Sequence, residues 1–196
     1  MKFKFFILLC AFFSVSLTYG QKYSDIHSFA LNYSGLYVSE GIAKEPLYGN
    51  GVALHYQYFN SSDFAYGLQL SYAMGTENFD IYGDENHNDY EVINYLFTIR
   101  YNLLPESFKI YLGMNLGGNV VNVKTTWEAQ GNQQSHGMII GVPVGINWFA
   151  TKHIFVTAGF NSSIMIGSSL YVSDAILGAN AGIGYYFGRK HSKSAE

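Results

Sequence analysis

From residue 27 onward, apolar and polar positions alternate with a period of two, in segments broken by Gly, Asn, Ser and Asp. That period marks strands whose two faces meet different surroundings. It predicts eight strands, near 28–39, 50–59, 64–75, 91–102, 107–120, 136–149, 154–166 and 176–187. Each is long enough for the roughly 9–11 residues that a tilted strand needs to cross a hydrocarbon layer.

One face of these strands is bulky and uncharged. It runs through Val52, Leu54, Tyr56 and Tyr58, then Phe64, Tyr66, Leu68, Leu70 and Tyr72, and continues in the same way to Ile183, Tyr185 and Phe187. The opposite face is small or polar, as in Ala65, Gly67, Gln69, Ser71 and Ala73. A soluble barrel would turn the bulky face inward, where eight strands enclose too little space for it. Its outside would then be Gly, Ala, Ser and Asn, a poor surface for water. Bulky residues against lipid and small polar ones in the lumen resolve both conflicts. Closure also leaves no unpaired strand edge in the hydrocarbon, where each orphaned group costs several kcal/mol. The expected fold is all-β: an eight-stranded antiparallel up-and-down transmembrane β-barrel.

The connections fit. The stretches 60–63, 103–106 and 150–153 are short, those at 76–90 and 121–135 are long, and 40–49 and 167–175 are intermediate. Such alternation is expected of periplasmic turns and extracellular loops, and an even strand number puts both termini on the periplasmic side. Aromatics crowd the short-turn end: Tyr58 and Phe59 with Phe64, Tyr101 with Phe108, and Trp148 and Phe149 with Phe155. They are expected to form an inner aromatic girdle at headgroup level.

Composition narrows the picture further. Only 13% of the 196 residues are charged while 17% are aromatic, too few charges to keep such an apolar chain dissolved. A net charge of −3 offers no basic surface for nucleic acid. Residues 1–20 read as a cleaved signal peptide: Lys2 and Lys4, an apolar stretch Phe5 to Val15, and Thr18-Tyr19-Gly20 before Gln21. The single cysteine, Cys10, lies inside it, and Leu9 stands where a lipoprotein site needs a small residue. The expected division is a barrel domain over 21–187 and a short periplasmic tail over 188–196.

At this level the chain resembles the small outer-membrane barrels of the OmpA/OmpX type, over about residues 27–187. The most specific piece is the last strand, whose Ile183, Tyr185 and Phe187 resemble the C-terminal signal read by the barrel-assembly machinery. In that signal the aromatic residue usually ends the protein, whereas here Gly188 to Glu196 follow. The tail is too short for a peptidoglycan-binding domain. The resemblance implies export to the outer membrane, with outer-membrane lipids, lipopolysaccharide and the assembly machinery as partners. It leaves function open, because that family holds adhesins, assembly factors, pores and enzymes.

Several residues are candidates for chemistry. Arg100, in phase with Thr98 and Asn102, belongs in the lumen, where it gates a narrow pore or serves as a structural cation bonded to Asn, Tyr or a turn carboxylate such as Glu106. His55 and Gln57 share that face, with Gln69, Asn94, Asn115, Asn147, Asn161 and Asn180 as further lumen candidates. No strand supplies a second ligand for a metal at His55, so neither metal nor cofactor is expected. Glu77, Asp80, Asp84, Glu85, Asp89 and Glu91 make the stretch 76–91, which also holds Tyr82, an acidic extracellular loop without Lys or Arg: a solvated surface, a partner site or a cation holder. Pro143 in mid-strand predicts a bulge or a weak point, as in barrels that admit lipid laterally. Ser135, His136 and Asp174 are the one conceivable nucleophile, base and orienter. The leading expectation is a non-enzymatic structural or interaction protein acting through its loops or within an envelope assembly. The alternatives are a narrow pore and a lipid A-modifying enzyme.

Overall fold

Alternating two-faced segments joined by short turns can satisfy every backbone group only by closing on themselves. The computed structural model of the chain describes residues 26–38, 47–60, 63–81, 83–103, 108–126, 131–151, 153–167 and 175–188. These form β1 (Ile26–Val38), β2 (Leu47–Phe59), β3 (Phe64–Ile81), β4 (Asp84–Asn102), β5 (Phe108–Thr125), β6 (Gln133–Phe149), β7 (Ile154–Ile166) and β8 (Ala175–Gly188). Each strand pairs antiparallel with its sequence neighbours, and β8 pairs with β1 to close the barrel. Ile26 sits opposite Gly188, so both described ends lie at the short-turn end.

The register fixes the shape. Following partners from Ser28 through Gln57, Gly67, Thr98, Asn115, Gly141, Ser163 and Ile176 returns to β1 at Val38, ten residues beyond the start. A stagger of that size over eight strands tilts them by about 40°. Every residue assigned above to the bulky face points outward, Leu68 at 60% and Ile183 at 62% being among the most exposed. A continuous exposed apolar band of this kind is a wall for hydrocarbon.

Three expectations need correction. The stretch 76–90 is no loop: β3 and β4 stay paired from Phe64↔Tyr101 to Ile81↔Asp84 and turn through Gly83, whose φ of +91° glycine adopts without strain. Likewise β5 runs on to Thr125 and β6 begins at Gln133, so these four strands span 17–19 residues against 13–14 in the others. Beyond Tyr48↔Thr76 and Met138↔Ile166, β3–β6 therefore rise above the rim as a four-stranded flange. Pro143 makes no bulge. Pairing between β5 and β6 lapses between Leu112↔Val144 and Asn115↔Gly141, but the register is the same on both sides. The ring removes one donor without inserting a residue.

The third correction concerns the girdle. Tyr58, Phe64, Tyr101, Phe108 and Trp148 do face outward, but Phe59, Phe149 and Phe155 turn into the lumen. Consecutive residues point to opposite faces, so a pair such as Trp148-Phe149 cannot share the girdle. With Tyr186 the three rings close the short-turn end, at centroid distances of 4.8–5.8 Å. At the flange end Val38, Leu47, Tyr90, Val92, Val121, Val123 and Met165 form a second apolar layer.

Candidate functional site

Between the two apolar layers the lumen is polar, and Arg100 organises it. The side chain projects from β4 and is 6% exposed. One guanidinium nitrogen, Nη2, donates to His55 Nδ1 at 2.9 Å. With the Gln57 amide oxygen facing the guanidinium, that oxygen accepts from Nη1 at 3.2 Å and Nε at 3.1 Å. The guanidinium carbon lies 4.4 Å from the Tyr111 ring centroid, a cation–π distance. The Tyr111 hydroxyl reaches into the space that a Cβ at Gly145 or Gly159 would take. Among the described residues Arg100 has no carboxylate partner. A buried cation is thus held by neutral acceptors and a π face rather than by an anion.

The sequence-predicted asparagines line the same lumen in short chains. Asn94 donates to Ser71 at 3.1 Å, Asn115 to Asn161 at 3.3 Å and Asn161 to Ser163 at 2.6 Å. Asn32 reaches Asn180 at 3.5 Å. Asn147 is buried and Gln69 is half-buried. Oxygens of Asn32, Asn94, Asn115 and Asn147 have no protein donor. Such acceptors suit ordered water rather than a nucleophile.

The flange carries the acidic residues, and it separates them. Asp80, Asp84, Glu85 and Asp89 are exposed, whereas Glu77 is fully buried. Glu77 accepts from Asn88 Nδ2 at 2.9 Å and from the Tyr90 hydroxyl. It therefore belongs to the lumenal face of the hairpin rather than to a solvated loop, a correction that the unbroken phase from Ser71 through Ala73 and Gly75 explains. On the outer face Thr76 donates to Asp89 at 3.0 Å, Lys124 to Glu91 at 3.0 Å, and Gln134 to Asn122 at 2.9 Å. No three metal-ligating side chains converge among the described residues. Tyr82, Glu106 and Asp174, like the signal segment with Cys10 and the tail from 189, lie outside the described residues.

The proposed triad does not assemble. Ser135 points into the lumen at 2% exposure while the neighbouring His136 is exposed on the outer wall. At the other end the C-terminal strand is clasped by imidazoles. His27 stacks on Phe187 at 5.5 Å and 12°, and His153 on Tyr185 at 5.6 Å and 19°. His27 Nδ1 is also hydrogen-bonded to the Tyr56 hydroxyl at 2.7 Å. The sequence reading missed these contacts because they join residues of different strands and turns.

No protein-family model matches the sequence, and neither does any curated protein. Solved structures do match. The attachment invasion locus protein Ail of Yersinia pestis is 15% identical, with a TM-score of 0.56 over 84% of this chain and 100% of that one. Neisserial surface protein A is 16% identical, with a TM-score of 0.59 over 82% and 97% of the two chains. A major outer membrane protein of Thermus thermophilus is 12% identical, with a TM-score of 0.58 over 82% and 99%. The chain thus has the fold of the small eight-stranded outer-membrane barrels of the OmpA/OmpX type.

Proposed function

We propose that this barrel is a non-enzymatic interaction protein of the outer membrane, acting through the flange of β3–β6 and its acidic hairpin. The carrying observation is the asymmetry of the rim: four strands extend beyond it and present Asp80, Asp84, Glu85 and Asp89 to solvent. A rigid paired hairpin presents charges in fixed positions, which a partner recognises at lower entropic cost than a loose loop. The apolar layers at both ends of the lumen support a sealed barrel over a narrow pore. The divergence of Ser135 and His136 supports a binding role over a lipid A-modifying one. In this reading residues 1–20 direct export and are removed, and both termini, with the tail 188–196, are periplasmic. The assembly machinery reads Ile183, Tyr185 and Phe187, and lipopolysaccharide and phospholipids surround the wall. Ail is by name an attachment invasion locus protein, a role of the same general kind.

The test is a photoreactive residue at Asp80 in intact outer membranes. One specific envelope or external protein should crosslink, and the quadruple change Asp80→Asn, Asp84→Asn, Glu85→Gln and Asp89→Asn should abolish the product. Crosslinking that persists unchanged in the quadruple variant overturns the reading.

A further inference from the structure

The outer wall of β5 is filled by Phe108, Ile110, Leu112, Met114 and Leu116, and then interrupted by Gly118. Gly118 belongs to a row of register partners, Tyr95, Gly118, Met138 and Ile166, that crosses β4 to β7. The Tyr95 ring lies across Gly118, in the space where a Cβ would stand. On the far side β7 ends at Ile166, and Gly167 follows at φ +80°. These two features leave a shallow, open depression of about 390 Å³ lined by Tyr95, His136, Met138 and Ile166 over Gly117, Gly118, Gly137 and Gly167.

Its height in the wall is informative. The row below, Phe97, Leu116, Ile140 and Ile164, is wholly apolar. Above it come His136, then Gln134, Asn122, Lys124 and Glu91, the polar outer face of the flange. The recess therefore straddles the level where hydrocarbon gives way to headgroups, the depth at which a tyrosine ring settles. Its floor is apolar and its upper rim is an exposed imidazole. It is continuous with the lipid-facing band, so a lipid is what meets it.

We infer that the recess is a specific seat for one acyl chain of an outer-leaflet phosphorylated glycolipid of the lipid A class. The chain lies against Met138, between the Tyr95 ring that covers Gly118 and Ile166, and an imidazole N–H of His136 donates to a headgroup oxygen. This rests on the reading above that the flange end faces outward. It deepens that reading by giving the wall beneath the flange its own ligand.

The test is native mass spectrometry of the full chain extracted from outer membranes in mild detergent. One glycolipid should remain on the wild type and on Ala181→Leu, a bulk control elsewhere on the wall. Gly118→Leu pushes the Tyr95 ring off the strand and into the recess, so retention should fall about tenfold or more. Tyr95→Ala, which removes a side of the recess without adding bulk, should show the same loss. Equal retention by Gly118→Leu, or none by the wild type, overturns the seat. A glycerophospholipid retained in the glycolipid's place overturns it as well. Labelling of His136→Cys by a membrane-impermeant thiol reagent on intact cells separates the two readings. Labelled cells without a retained lipid refute the seat alone, and unlabelled cells refute the orientation beneath both.

Discussion

Both ends of the lumen are closed by apolar side chains, but the two closures accommodate opposite charges. At the short-turn end the layer is aromatic, Phe59, Phe149, Phe155 and Tyr186, and its rings meet cations, with the Asp63 carboxylate also acting on Lys109. Lys109 lies 5.9 Å from the Phe59 and Phe149 rings, and Arg100 lies over Tyr111 just above. At the flange end the layer is mostly aliphatic, and its charge is the anion Glu77, met by an amide and a hydroxyl. Ring faces carry negative quadrupole density, which draws a cation and repels a carboxylate. Aliphatic groups are indifferent to sign, so the anion there depends on its hydrogen bonds. Matching the apolar layer to the charge lowers the cost of burying these ions in a narrow barrel, where a lone ion in plain hydrocarbon would cost several kcal/mol.

Exchanging the sign at the aromatic end should break the scheme most severely. Arg100→Glu turns a carboxylate toward the Tyr111 face, the His55 nitrogen and the Gln57 oxygen, three partners selected for a cation. An uncompensated buried charge costs about 3–5 kcal/mol, so the variant should fold poorly or lose most of its resistance to urea in micelles. Unchanged unfolding followed by tryptophan fluorescence would show that the local acceptors do not fix the sign.

Truncating each layer comes next. Phe155→Ala should cost about 3–5 kcal/mol and Leu47→Ala about 2–5 kcal/mol, because each leaves a cavity that paired strands cannot collapse. The pair also tests closure in planar bilayers. Either variant alone should stay non-conducting, since the opposite layer still blocks the lumen. Conductance in the unmodified barrel would contradict a seal at both ends and revive the pore.

What the sequence made legible follows from how far its signals reach. Alternation gave every strand and assigned each face, since one side of each strand meets lipid and the other does not. It also contained the depth of Glu77, in phase with Ser71, Ala73 and Gly75, but clustered carboxylates outweighed phase and suggested a loop. The inward aromatics were hidden by proximity: Phe59 and Phe149 each adjoin an outward ring, and only strict parity separates the two. The Arg100 cluster was beyond reach, because Arg100 pairs across the sheet with Ala65 and Gly113, not with His55 or Gln57. Its long side chain crosses a strand to meet them, and no spacing along the chain encodes that.

A smaller effect sharpens the contrast from the anionic end. Glu77→Gln keeps an acceptor for Asn88 and Tyr90 and removes the charge, exchanging charge-assisted bonds for neutral ones. The net difference for such bonds is about 1 kcal/mol, well below the cost of Arg100→Glu. A loss as large as that of Phe155→Ala would mean that the charge itself, rather than its shape and bonds, holds the flange-end layer.

The smallest effect belongs to the lysine–carboxylate pair that the described residues place on the flange's outer face, Lys124 with Glu91 at 3.0 Å. The hydrogen bond and then the charge of Glu91 hold the Lys124 ammonium above its ordinary value of 10.5. A cation raised on folding stabilises the native state fully below its unfolded value, and the gain disappears as pH rises through the folded one. Wild type and Lys124→Ala should therefore differ slightly at neutral pH and become indistinguishable in strong alkali. Both groups are solvated, so molar salt should erase the difference as well, the Debye length shrinking to about 3 Å. The same salt should leave the Arg100→Glu deficit intact, because no ions screen a charge sealed between two apolar layers. A lumenal deficit that salt removed would place solvent where the barrel's apolar layers exclude it.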